Sequence, residues 1–178
     1  SLDDKTMALL RNDETGAMAS ACPMLYEEVI ASLLTGHGGV HWREKKIAYD
    51  DYTQQKEEEA DGEGSVENEW NDMELNLSKL EEGKVPTYAS MEGMILYKSL
   101  NKNYGAVDML YKDENGGIVG IQVTRQMSNV KKVKADALTD LIENQLQMPP
   151  KKEFRLVLIP HPKRAMNAKI QITQYKQI

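Results

Sequence analysis

Cysteine occurs once in the 178 residues, at Cys22, so the chain can form neither an internal disulfide nor a cysteine-based zinc cluster. Such sparing use of cysteine fits a reducing compartment, the cytosol or nucleus. No apolar run is long enough to cross a bilayer, so no membrane partner is expected. A signal-peptide pattern is also missing. Histidine is scarce, with 3 in all. His37 and His41 stand four apart but straddle Gly38 and Gly39, and no third ligand lies near, which argues against a histidine metal site. No internal repeat is found.

What is present is an ordinary soluble balance, 40% hydrophobic and 28% charged, in a length that suits one domain over 1–178 with a real core. The net charge of −6 hides a division. Residues 50–82 carry 13 acidic and 2 basic side chains. Residues 83–178 carry 15 basic and 8 acidic ones, and residues 1–49 carry 5 basic and 7 acidic ones. An acidic insert at 50–82 thus divides the chain, and the part after it is basic. Nucleic acid is the partner such a basic half suggests, a solvated basic surface being the bland alternative.

Residues 1–20 read as a polar lead-in. Pro23 suits a first helical turn. Leu25, Val29 and Leu33, with Tyr26, Ile30 and Leu34, predict a helix that Gly36, Gly38 and Gly39 stop. Residues 39–52 read as an extended segment, a strand pair at an edge. Residues 54–64 read as a flexible acidic loop. Trp70, Met73, Leu77 and Leu80 predict an amphipathic helix within 66–80. Residues 94–98 are a strand candidate. Val130 to Leu146 follow helical period up to Pro149-Pro150, and the basic first turn holds Lys131, Lys132 and Lys134. These lysines beside free N–H groups are candidates to face nucleic-acid phosphates, and a solvated basic turn is the alternative. Residues 154–159 read as a buried strand and 169–175 as a last edge strand.

The segment from Asp108 to Arg125 organises the rest. Two β-rich runs flank Asn115-Gly116, which signals a hairpin. A three-residue loop, Glu114-Asn115-Gly116 with Gly116 left-handed, makes one face fully apolar. It sets Val107 against Val123, Met109 against Ile121 and Tyr111 against Val119. Asp108 then lies opposite Gln122, with Thr124 on the same face. Hydrophobic pattern selects register, so this odd loop is expected. Together the elements predict an α/β fold: a mixed β-sheet with a three-strand antiparallel meander, a helical crossover to a further strand, and flanking helices.

The segments Tyr104-Gly105-Ala106-Val107-Asp108 and Gly120-Ile121-Gln122-Val123-Thr124-Arg125 resemble the PD-(D/E)xK nuclease superfamily. The branch they resemble is the nuclease-like domain of Crinkler-type effectors and retrotransposon hot spot proteins, over about Tyr88 to Pro160. The resemblance implies a restriction-endonuclease-like fold and a metal-dependent hydrolase that cuts nucleic acid, most readily DNA. The same scaffold without catalysis would bind nucleic acid or a protein. The resemblance also implies Mg²⁺ or Mn²⁺ held by Asp108, Gln122 and a helix glutamate, Glu27 first and Glu28 in reserve. Thr124 stands where active nucleases usually carry Lys, and Gln122 where many carry Glu. Lys98 and Lys112, the latter on Asp108's face in a regular strand, are the candidates to supply the missing cation.

Overall fold

Period-two patterning in the second half of the chain builds a mixed sheet, and helices cover its two faces. The computed structural model describes residues 12, 23–36, 40–47, 70–100, 104–123, 135–159 and 171–173. Helix α1 (Pro23–Leu34) comes first, followed by β1 (Val40–Ile47), β2 (Trp70–Leu75) and β3 (Lys79–Glu82). After a 3-10 turn (Tyr88–Ser90) come β4 (Ile95–Lys98), β5 (Met109–Lys112) and β6 (Ile118–Val123). Helix α2 (Ala135–Asp140), β7 (Phe154–Ile159) and β8 (Gln171–Thr173) complete the series. The sheet order is β2-β1-β8-β7-β6-β5-β4-β3. β4, β5 and β6 form an antiparallel meander, and β7 lies parallel to β6 after α2. The fold is α/β with a mixed sheet. Among the described residues no helix is long and apolar enough to cross a membrane.

The hairpin adopts the register that the apolar pattern requires, pairing Met109 with Ile121 and Tyr111 with Val119. Its loop closes with the Asp113 N–H donating to Gly117 O at 2.8 Å, and Gly116 is left-handed at φ 80°. The Asp113 carboxylate accepts from the N–H groups of Asn115 and Gly117, both at 2.9 Å, which holds the turn shut.

Alternation then sorts the strands into two apolar layers. Leu96, Met109, Tyr111, Ile121 and Val123 pack with Ile30, Ala31 and Leu34 of α1. Ile95, Leu110, Ile118, Phe154 and Leu156 pack with Leu138, Leu141 and Ile142 of α2 and the turn after it. Each large side chain fully buried this way contributes about 1.5–3 kcal/mol. The last turn of α2 widens to a π-turn (Leu141–Gln145), with the Leu146 N–H reaching Leu141 O at 2.8 Å. Gly120 makes the second layer possible. A Cβ there would lie 2.6 Å from Phe154 Cζ and 2.9 Å from Val107 Cγ1, so the ring and the strand meet only over a glycine.

Four expectations change. Residues 66–80 supply no helix where described; 70–75 and 79–82 are strands. Buried Leu75 and Leu77 alternate with exposed Glu74 and Asn76, and period two prevails over the longer spacing. The acidic stretch 50–82 therefore includes both edge strands of the sheet, β2 and β3. Residues 40–47 form one strand rather than a pair, with β2 and β8 as its neighbours. Residues 171–173 are not an edge but lie between β1 and β7.

Candidate functional site

Strand directions bring several polar groups to one end of the sheet. β4 ends at Lys98, which pairs with Met109 at the start of β5. β6 and β7 both finish there, with Val123 beside Ile159. Lys98, Asp108 and Gln122 therefore share this end, and they are the buried polar or charged side chains of the described core.

Lys98 alternates with Tyr97 and follows Leu96 into the α1 layer. It is 1% exposed, a burial that lysine tolerates only when paired. Its Nζ donates to Glu28 Oε1 at 2.9 Å and to Ser99 O at 3.3 Å. The Glu28 side chain is 40% exposed, so the pair runs from the interior to the surface. Glu28, the reserve candidate, is thus a glutamate that reaches the sheet, and Glu27 is half-buried one residue earlier. The buried face of α1 runs through Ile30, Ala31 and Leu34, while Leu33 is 39% exposed. That rotation from the predicted stripe, with Ala31 allowing close approach, points Glu28 at the end of β4.

Asp108 departs from the predicted geometry in an informative way. Val107 belongs to the α2 layer and Met109 to the α1 layer. One residue must break the alternation, and it is Asp108. Its N–H donates to Ile121 O at 2.9 Å, so Asp108 and Met109 both address Ile121, as at a β-bulge. Its Oδ2 accepts from the Val123 N–H at 2.7 Å, which keeps the carboxylate near the sheet plane. Val107 accordingly does not face Val123 in the α1 layer as expected. Nor do Asp108 and Gln122 share one flat polar face, because the bulge inserts between them.

Gln122 alternates with Ile121 and Val123 and turns toward the α2 layer. It is 7% exposed, and its Oε1 is buried with no hydrogen-bond partner. Tyr104 ends in the same condition, its hydroxyl buried and unbonded. Burial first, and then the Glu82 carboxylate, push its phenol well above the usual tyrosine range. Nothing in the sequence pattern singled out Tyr104 or preferred Glu28, since both depend on which way an element turns.

Lys112 is drawn away from Asp108. It sits at the far end of β5, about 13 Å along at strand spacing. Its Nζ lies 3.9 Å from the Tyr88 ring centroid and donates to Tyr88 O and Met91 O. Thr124, Lys131, Lys132 and Lys134 lie outside the described residues, as do His37 and residues 54–64.

Two side chains at this sheet end carry oxygen atoms of the kinds that hard dications take. Asp108 offers a carboxylate and Gln122 an orphaned carbonyl oxygen, one strand apart. Mg²⁺ commonly takes one or two carboxylates, keeps several waters and adds substrate phosphate. Among the described residues no three His, Cys, Asp or Glu side chains gather. Comparison with known proteins returns no match: no family model, no curated protein and no solved structure.

Proposed function

We propose that the chain is a divergent PD-(D/E)xK-type, metal-dependent phosphodiesterase acting on nucleic acid, built on a restriction-endonuclease-like core. One observation carries this reading. Helix α1, the meander β4–β5–β6, helix α2 and parallel strand β7 follow in this order, with β1–β3 between α1 and the meander, and Asp108 just before β5 lies at the same sheet end as Gln122 of β6. The orphaned Gln122 Oε1 adds support, because a buried oxygen without a partner costs stability unless something binds there.

In the reaction a water oxygen bonds to phosphorus as one ester P–O bond breaks. One water proton passes to the departing oxygen, leaving a hydroxyl end and a phosphomonoester end. Bound Mg²⁺ or Mn²⁺ would polarise the phosphodiester and acidify that water. Asp108 and Gln122 hold the site open for it, and the dry layers beneath strengthen every charge interaction there. An intracellular setting, cytosol or nucleus, goes with this role.

A second reading is a nuclease-derived module that binds nucleic acid or a protein without cutting. The Asp108 carboxylate favours it, since Oδ2 is already engaged by the Val123 N–H. Purified protein incubated with DNA and Mg²⁺ or Mn²⁺ at several salt concentrations separates the two. Cleavage that disappears in Asp108→Asn supports the enzyme. Binding without cleavage supports the module, and absence of both rejects each.

A further inference from the structure

Strand β3 is an edge of the sheet. It pairs with β4 on one side, and among the described residues no strand lies on its other side. Such an edge presents a row of N–H and C=O groups to any strand that fits it. We propose that β3 pairs antiparallel with β3 of a second copy of this chain, about a twofold axis at Leu80, and so joins two sheets into one.

The inner ladder decides which groups face outward. The Ser78 N–H donates to Met94 O at 2.8 Å, on the β4 side. Residues two apart in a strand share a direction, so Leu80 and Glu82 also turn to β4, while Lys79 and Glu81 turn their N–H and C=O groups outward. Past the strand, the Gly83 N–H returns to Lys98 O at 3.0 Å and ends the edge. The side chains sort in the same way. Leu80 is half-buried against the α1 layer. Lys79 and Glu81 lie together on the other face, their side chains 57% and 47% exposed.

This arrangement selects a register. Outward groups must meet outward groups, which leaves Lys79 facing Lys79, Glu81 facing Glu81, or each Lys79 facing the Glu81 of the other copy. The first two set like charges against each other. The third sets opposite charges directly across the strand pair, twice, and such pairs attract. In it Lys79 and Glu81 exchange both of their bonds, at about 5.5 Å between Cα atoms, so every outward N–H and C=O of the two residues is satisfied. The two copies of Leu80 then meet at the axis and extend the α1 layer across it. The Lys79–Glu81 bridge within each chain, 3.0 Å long, is exposed, so exchanging it for one across the axis costs little. The edge is four residues long, which makes the pairing weak and dependent on concentration.

Sedimentation velocity of the full chain from about 10 to about 500 µM, a range suited to so small an interface, reads the association. Wild type should pass from monomer to dimer. Lys79→Glu and Glu81→Lys each set like charges across the axis, and each should weaken association about tenfold or more. An equimolar mixture of the two variants restores opposite charges at both positions, so it should dimerise as wild type does. Amide hydrogen exchange in wild type needs no variant. The Lys79 and Glu81 N–H groups should exchange more slowly as concentration rises, whereas the Ser78 N–H, already bonded to Met94 O, should not change. A wild type that stays monomeric over this range overturns the proposal. So does a dimer that both single variants leave intact, or a mixture that associates no better than either variant alone. Protection of the Lys79 and Glu81 amides in the dilute monomer would place another segment of the chain on the edge, and that also overturns it.

Discussion

Asp108 closes the ladder at the end of β6 and, under the proposed function, is also the metal's carboxylate, and substitution can separate the two roles. Its Oδ2 receives the Val123 N–H at 2.7 Å, and both residues are buried, at 6% and 5% exposure. In Asp108→Ala that N–H loses a charged acceptor. Hydrogen bonds to charged groups contribute about 1.5–3 kcal/mol, and a buried donor left unsatisfied costs about 1–3 kcal/mol. These describe the same loss from two sides, so the expected destabilisation is about 2–3 kcal/mol. Asp108→Asn keeps a carbonyl oxygen in the same place and should cost about 1 kcal/mol or less. Urea unfolding followed by circular dichroism reads the difference. With a slope of about 2 kcal/mol per M, Asp108→Ala moves the midpoint down by about 1–1.5 M, and Asp108→Asn by about 0.5 M at most. Under the proposed function both should lose metal-dependent cleavage, because each removes the carboxylate charge of Asp108 from the proposed metal site. An Asp108→Ala midpoint equal to wild type would refute the bulge account. Cleavage by Asp108→Asn at the wild-type rate would show that the site does not use the charge.

Three further outcomes follow from the structure. Gly120→Ala places a Cβ 2.6 Å from Phe154 Cζ, so it should cost about 1–3 kcal/mol in urea unfolding; Phe154→Leu in the same chain should relieve part of that loss. Deleting residues 54–64 removes five acidic side chains and one lysine, and it should tighten DNA binding while steepening the decline with salt; unchanged binding would mean that this stretch does not screen the basic half. Asn144 at 2.7 Å, and then Gln145 at 2.9 Å, hold the Asp140 carboxyl below the usual aspartate range. The folded form therefore gains stability from Asp140 above the unfolded carboxyl's pKa and loses it as pH falls through the lower folded value; an NMR titration of Asp140 at the ordinary aspartate midpoint would contradict this.

How much of this could be read without coordinates depends on the range of each interaction. The hairpin was legible because its causes are local. Asn115-Gly116 supplies the turn, and only one register makes Met109, Tyr111, Val119 and Ile121 share a face. Helix α1 was legible for the same reason, from Pro23 at its start to the glycines beyond its end. The stretch 66–80 was not, because Trp70, Met73 and Leu77 satisfy a helical period while Leu75 and Leu77 satisfy a strand's, and only pairing partners decide. β2 found its partner in β1 and β3 in β4, contacts that residue spacing cannot express.

The candidate site divides along the same line. The residues themselves determined which chemistry is available: one carboxylate at Asp108, one amide at Gln122, a hydroxyl at Thr124 and no lysine beside them. Tertiary structure alone decided how these groups stand. The bulge at Asp108 arises because Val107 is drawn into the α2 layer over Gly120 while Met109 is drawn into the α1 layer, and no local rule places that conflict. The pairing of Lys98 with Glu28, and the docking of Lys112 on the Tyr88 ring, likewise followed from which end of a strand and which side of a helix came to face the other. Those orientations are set by packing across the whole sheet, where burial of many apolar side chains outweighs the preference of any single residue.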